Sequence, residues 1–187
     1  MLMRVPIQSL VLLSALLLCG CGGDGSKPTE AQSVNAAGVS VPLPDGWVTH
    51  DVAASTGGTV ILISKHPEPY PRLNPAIRVL VQPLEAGSPS PKNLMERHLG
   101  ALRQQHRDLS ITTAPEDATV GGHAACHAVV RYSATDPATR QSTTGVRHVW
   151  VVPRSTDFVA IVMTGPASGE DSSDSLFQRL ISDVRIR

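Results

Sequence analysis

Val39-Ser40-Val41-Pro42-Leu43-Pro44-Asp45-Gly46-Trp47 reads as a strand, a tight turn and the start of a second strand. Val39, Val41 and Leu43 alternate with Ser40 and Pro42, which puts the apolar side chains on one face of an extended chain. Pro44-Asp45-Gly46 then supplies turn chemistry, and Trp47 and Val48 resume the strand, with Trp47 most simply a core anchor.

Working outward toward the C-terminus, Val60 to Ser64 is a short β-branched strand. The next ten residues, His66-Pro67-Glu68-Pro69-Tyr70-Pro71-Arg72-Leu73-Asn74-Pro75, contain four prolines. That density excludes a helix or central strand and predicts a stiff, extended loop. Ile77 to Gln82 is the next strand, ended by Pro83. Ser90 is placed as an N-cap with Pro91 at the first helical position. Met95, Leu99, Leu102, His106 and Leu109 follow at steps of four, three, four and three, so one face of this helix is buried. Ala118 to Val120, the Gly121-Gly122 turn and His123 to Ser133 read as a hairpin. Thr143 to Val152 and Phe158 to Thr164 are strands joined by a short loop and should pair antiparallel. Ser172 or Ser173 caps a last helix whose Leu176, Phe177, Leu180, Ile181 and Val184 face the sheet. Strands, helix, strands, helix imply an α+β domain, an antiparallel sheet with two main helices packed on it.

Toward the N-terminus, residues 22–38 are Gly, Asp, Ser, Lys, Pro, Thr, Glu, Gln, Asn and Ala around the single sizeable apolar Val34. Such a segment buries too little to offset its ordering entropy and reads as part of a flexible tether over 21–38. Its random-coil reach is roughly 20 to 25 Å. Before it, Arg4, an apolar run from Leu10 to Leu18 and small residues have the layout of a secretory signal over 1–20. The run is too short for a membrane span, which needs roughly 20 apolar residues.

Leu18-Cys19-Gly20-Cys21 resembles the lipobox of bacterial lipoproteins, which implies lipidation of Cys21 and a membrane anchor of about three acyl chains. Gly22 after the Cys, where retained inner-membrane lipoproteins usually carry Asp, favours the outer membrane facing the periplasm in a Gram-negative host. The opening residues 39–47, together with Val120-Gly121-Gly122-His123-Ala124-Ala125, a long strand, a hairpin and a terminal amphipathic helix, resemble bacterial domains of the PsbP/DcrB/LpqN type. The likeness covers 39–187. It implies a domain that usually works by binding, with no family-wide catalytic residues to carry over; the fold alone does not choose the ligand, and the expectation here is a protein partner or an apolar small ligand with no cofactor.

Composition narrows the classes further. The chain has 16 basic and 16 acidic residues, and loss of 1–20 removes Arg4 and no acid, leaving a net charge of −1. Without a basic cluster, no nucleic-acid footprint is expected. Of three cysteines, Cys19 leaves with the signal and Cys21 takes lipid, so Cys126 has no intramolecular disulfide partner. Cys126 is expected to be a buried inert thiol.

Three site readings can be compared. A serine hydrolase would want a Gly-x-Ser-x-Gly elbow, which the sequence lacks, and Ser90 and Ser172 are more simply caps. His123 and His127, four apart on a strand, share a face while Cys126 points to the other; His148 could complete a two-His zinc or copper site, but solvent-face histidines are the simpler reading and no metal site is assigned. Tyr70, Arg72 and Leu73 in the proline-rich loop are the partner-binding candidates, because an aromatic and an Arg on a prestiffened backbone lose little entropy on binding. The sequence thus predicts a lipid-anchored, non-enzymatic envelope protein, with an immunity-type inhibitor of a toxic effector, or a weak hydrolase or metal-binding protein, as alternatives.

Overall fold

The computed structural model describes residues 32–50, 58–67, 73–84, 89–135, 140–167 and 174–187. Its elements run β1 (Ser33–Ala36), β2 (Val39–Pro42), β3 (Val48–Thr49), β4 (Thr59–Ser64), β5 (Ala76–Pro83), α1 (Pro91–Gln105), β6 (Ser110–Val120), β7 (His123–Thr135), β8 (Ser142–Pro153), β9 (Asp157–Pro166), α2 (Asp174–Asp183) and β10 (Arg185–Ile186). Seven strands form one antiparallel sheet in the order β3-β4-β5-β9-β8-β7-β6, and β1, β2 and β10 form a small second sheet. This is the α+β architecture that the order of elements implies.

Alternation along the strands sorts the core into two layers. Cys126, Ala128 and Val130 on β7 and Val149 and Val151 on β8 meet Leu94, Met95, Leu99 and Leu102 of α1. The other parity of the same strands, with Ala125, Trp150 and Val152, meets Phe177, Leu180 and Ile181 of α2 and Val39 and Val41 of the small sheet. Trp47 is buried in this second layer, as its position after the first turn predicts.

Local chemistry fixes the element ends. Ser90 Oγ accepts a hydrogen bond from the Asn93 amide at 3.2 Å and Pro91 opens α1, so the cap read from sequence forms. The apolar stripe is shorter than its periodicity suggests. α1 stops at Gln105, and His106 turns extended to place its ring 4.4 Å from that of Tyr132. Gly121 and Gly122 both have positive φ, +57° and +83°, the backbone that a two-residue hairpin turn demands between β6 and β7.

Two expectations are corrected. The tether reading ran to residue 38, but Ser33–Ala36 is a strand paired with β2. Its turn uses Ala37 and Gly38 at positive φ, and Arg154 holds it by donating from Nη1 to the Ala37 carbonyl at 2.8 Å while gripping Asp157. Strand β6 begins at Ser110 rather than Ala118, running through Pro115. A sheet edge tolerates the missing amide donor, and the pairing with β7 shifts register on either side of Thr113. Among the described residues no helix is long and apolar enough to cross a membrane.

Candidate functional site

Four polar side chains line up across the α2 side of the large sheet. The two-residue turn at Gly121-Gly122 sets Val120 opposite His123, and the same register sets Glu116 opposite His127. His127 pairs across the next ladder with Trp150, and Val129 with His148, so His127, His148 and Trp150 share one face of β7 and β8. Asp174, the first residue of α2, closes the row.

The contacts run in sequence. His127 Nδ1 lies 3.1 Å from Glu116 Oε1, His127 Nε2 lies 3.4 Å from His148 Nδ1, and His148 Nε2 lies 3.1 Å from Asp174 Oδ1. Both imidazoles are buried, His127 at 7% exposure and His148 at 5%, whereas the two carboxylate side chains are more than half exposed. Trp150 stacks on His127 with ring centroids 4.6 Å apart, and Phe177 meets the His148 ring edge-on at 5.7 Å. These rings hold the imidazole planes in place.

Proton positions follow from the partners. A surface carboxylate offers only acceptors, so His127 donates from Nδ1 to Glu116 and His148 donates from Nε2 to Asp174. The two inner nitrogens then face each other 3.4 Å apart. A direct N–H···N bond would require a second proton on one ring. Burial opposes that at His148, pushing its pKa below the usual 6.5; Asp174 pulls upward, and His127 adds to the lowering. The arrangement therefore presents two nitrogen donors to anything that accepts electron pairs.

The other sequence candidates are placed as follows. His123 shares the His127 face, as parity predicts, but its Nε2 lies 3.3 Å from the Ile186 carbonyl of β10 and it takes no part in the pair. Cys126 points to the α1 side, 1% exposed, and burial followed by the Asp117 charge pushes its thiol pKa up, which makes it a poor nucleophile. Among the described residues no group of three or more His, Cys, Asp and Glu is placed to hold a metal ion. Cys21, Tyr70, Arg72 and Ser172 lie outside the described residues. Leu73 is half-buried rather than displayed: its Cδ2 lies 3.0 Å from where a Cβ on Gly145 would sit, beside the Tyr132 ring.

Sequence reasoning missed Glu116, Asp174 and a Ser–His contact. The hairpin turn carried the signal for Glu116, since a two-residue loop fixes the register beyond it. Nothing local signalled Asp174, which arrives through the docking of α2. The missed contact is His50 Nε2 to Ser64 Oγ at 2.7 Å. The Ser64 hydroxyl itself donates to the His66 carbonyl, so it accepts from His50 and gains no base; it is also 2% exposed.

No family model matches the chain, and no curated protein matches it. Solved structures do. Cyanobacterial PsbP (CyanoP) from Synechocystis sp. PCC 6803 is similar with a TM-score of 0.61 at 16% identity, covering 91% of this chain and 99% of that one. LpqN of Mycobacterium tuberculosis, involved in cell envelope biogenesis, is similar with a TM-score of 0.54 at 19% identity over 83% of this chain and 89% of that one. The Ran-binding protein Mog1p of Saccharomyces cerevisiae is similar with a TM-score of 0.54 at 14% identity over 83% and 94%. At these identities the likeness establishes a PsbP-like fold.

Proposed function

We propose that this protein is a non-enzymatic binding protein of the bacterial cell envelope, held by lipid on Cys21 and facing the periplasm from the outer membrane. It engages a protein partner or an apolar ligand through Tyr70 and Arg72 of the proline-rich stretch, with Leu73 packed against the fold rather than offered to the partner. The observation that carries the binding half is the anchoring of that stretch. Leu73 packs over Gly145 beside Tyr132, which pins the chain at that residue. A stretch both stiffened by proline and fixed at one end has already lost much of the freedom that binding would otherwise cost.

Two further features support the reading. Leu18-Cys19-Gly20-Cys21 has the order a lipid-attachment signal needs. Proteins of similar fold include one involved in cell envelope biogenesis and one that binds Ran, which fits a scaffold used for recognition. The test joins both halves. Cys21→Ser should move the protein from the membrane fraction to the soluble envelope fraction. Tyr70→Ala with Arg72→Ala should reduce co-purification with the native partner from detergent-solubilised membranes, at an unchanged melting temperature. Membrane retention of the Cys21→Ser protein would refute the anchor, and undiminished co-purification would remove the loop from the binding surface.

A further inference from the structure

The inner nitrogens of His127 and His148 face each other in a buried place, at a separation that either a shared proton or a bound ion can bridge. Both outer nitrogens lie 3.1 Å from a carboxylate, Glu116 or Asp174, and the inner pair sit 3.4 Å apart. Two electron-rich nitrogens facing each other in a buried place repel unless an electron-pair acceptor lies between them.

We propose that His127 Nε2 and His148 Nδ1 form a seat for a late first-row divalent metal ion, Zn²⁺ or Cu²⁺. Three observations carry the assignment. The first is spacing: at metal–nitrogen bonds of about 2.0–2.1 Å, two tetrahedral ligands stand about 3.4 Å apart, which is the separation found. The second is the outer shell. A metal-binding His almost always passes its other ring proton to a carboxylate or carbonyl, which fixes the tautomer and strengthens the donor; Glu116 and Asp174 do this for both rings at 3.1 Å. The third is rigidity: stacking on Trp150 and the edge of Phe177 hold the two rings ready without reorganisation.

Imidazole pairs select zinc and copper over the hard cations that prefer oxygen. The protein supplies two ligands among the described residues, so water or an incoming group fills the remaining positions. Such a seat exchanges its ion, unlike a closed four-ligand structural site. The ion would also tie β7 and β8 to the start of α2 through Asp174.

The experiment uses the full chain, purified from membranes in detergent without a polyhistidine tag and stripped with a chelator. Titration with Zn²⁺ against a chromophoric competitor should reach one ion per chain, and His127→Ala or His148→Ala should abolish that binding. Glu116→Gln and Asp174→Asn alter exposed side chains and should each weaken it about tenfold through the outer shell. Should either His variant fail to fold, the Cu²⁺ adduct of the unaltered protein decides, since its electron paramagnetic resonance spectrum should show coupling to two imidazole nitrogens. No stoichiometric binding, binding that survives both His substitutions, or a copper spectrum without imidazole nitrogen would overturn the proposal.

Discussion

The two faces of the large sheet each carry histidine, and they treat it differently. On the α2 side, His127 and His148 pass their outer ring protons to Glu116 and Asp174. On the α1 side, His98 of α1 is half-buried within reach of the Arg147 charge, and His98 Nε2 and Arg147 Nε are buried atoms without a hydrogen-bond partner. Arg147 instead lays its guanidinium 4.8 Å over the Tyr132 ring. Burying a polar atom is tolerable where a partner offsets its lost hydration and expensive where none does. The α2 side thus carries a built polar row, and the α1 side carries packing with a polar blemish at one end.

The first way to break this comparison is to remove the wall of the row. Phe177 is fully buried and touches both the α2 layer and the His148 ring. Phe177→Ala should cost about 3–5 kcal/mol in chemical denaturation, and Met95→Ala in the α1 layer about 2–5 kcal/mol. The distinguishing result is local: Phe177→Ala should speed hydrogen exchange at the first turn of α2, and Met95→Ala should leave that turn protected. Equal exchange in the two variants would show that the row does not hold α2.

Acid provides a milder probe of the α1 side. Burial, helped by Arg147, holds the His98 pKa down to about 4, while the unfolded chain protonates at its usual 6.5. Between these values the unfolded state binds more protons. Stability from His98 is therefore intact above pH 6.5 and lost as pH falls toward 4, by roughly 3 kcal/mol in all. A His98→Leu variant should show a flatter stability profile across that window, read as denaturation midpoints at successive pH values. A slope identical to that of the unaltered protein would place the acid sensitivity elsewhere.

The sheet and helices were legible because their signals are periodic. Strand parity put Cys126 opposite His123 and His127, as found, but the face read as solvent is covered: β7 buries six residues in a row, and His127 and His148 are 7% and 5% exposed. Ser90-Pro91 marked the start of α1 with side chain and ring together. What escaped notice depended on distant partners. β1 lacks the Asn-Gly signature of a tight hairpin, and its Ala37-Gly38 turn is held by Arg154 from a loop more than a hundred residues away. β10 is two residues long and exists only as an addition to β2. The same holds for the site. His127 and Glu116 could be paired by counting from Gly121-Gly122, whereas Asp174 joins only when α2 docks.

The most direct test of the polar row is where its protons sit. Long-range ¹⁵N–¹H spectra of the chelator-treated, ¹⁵N-labelled protein at neutral pH should show a proton on His127 Nδ1 and a proton on His148 Nε2, each facing its carboxylate. An outer nitrogen without its proton, the opposite tautomer at either position, would contradict it.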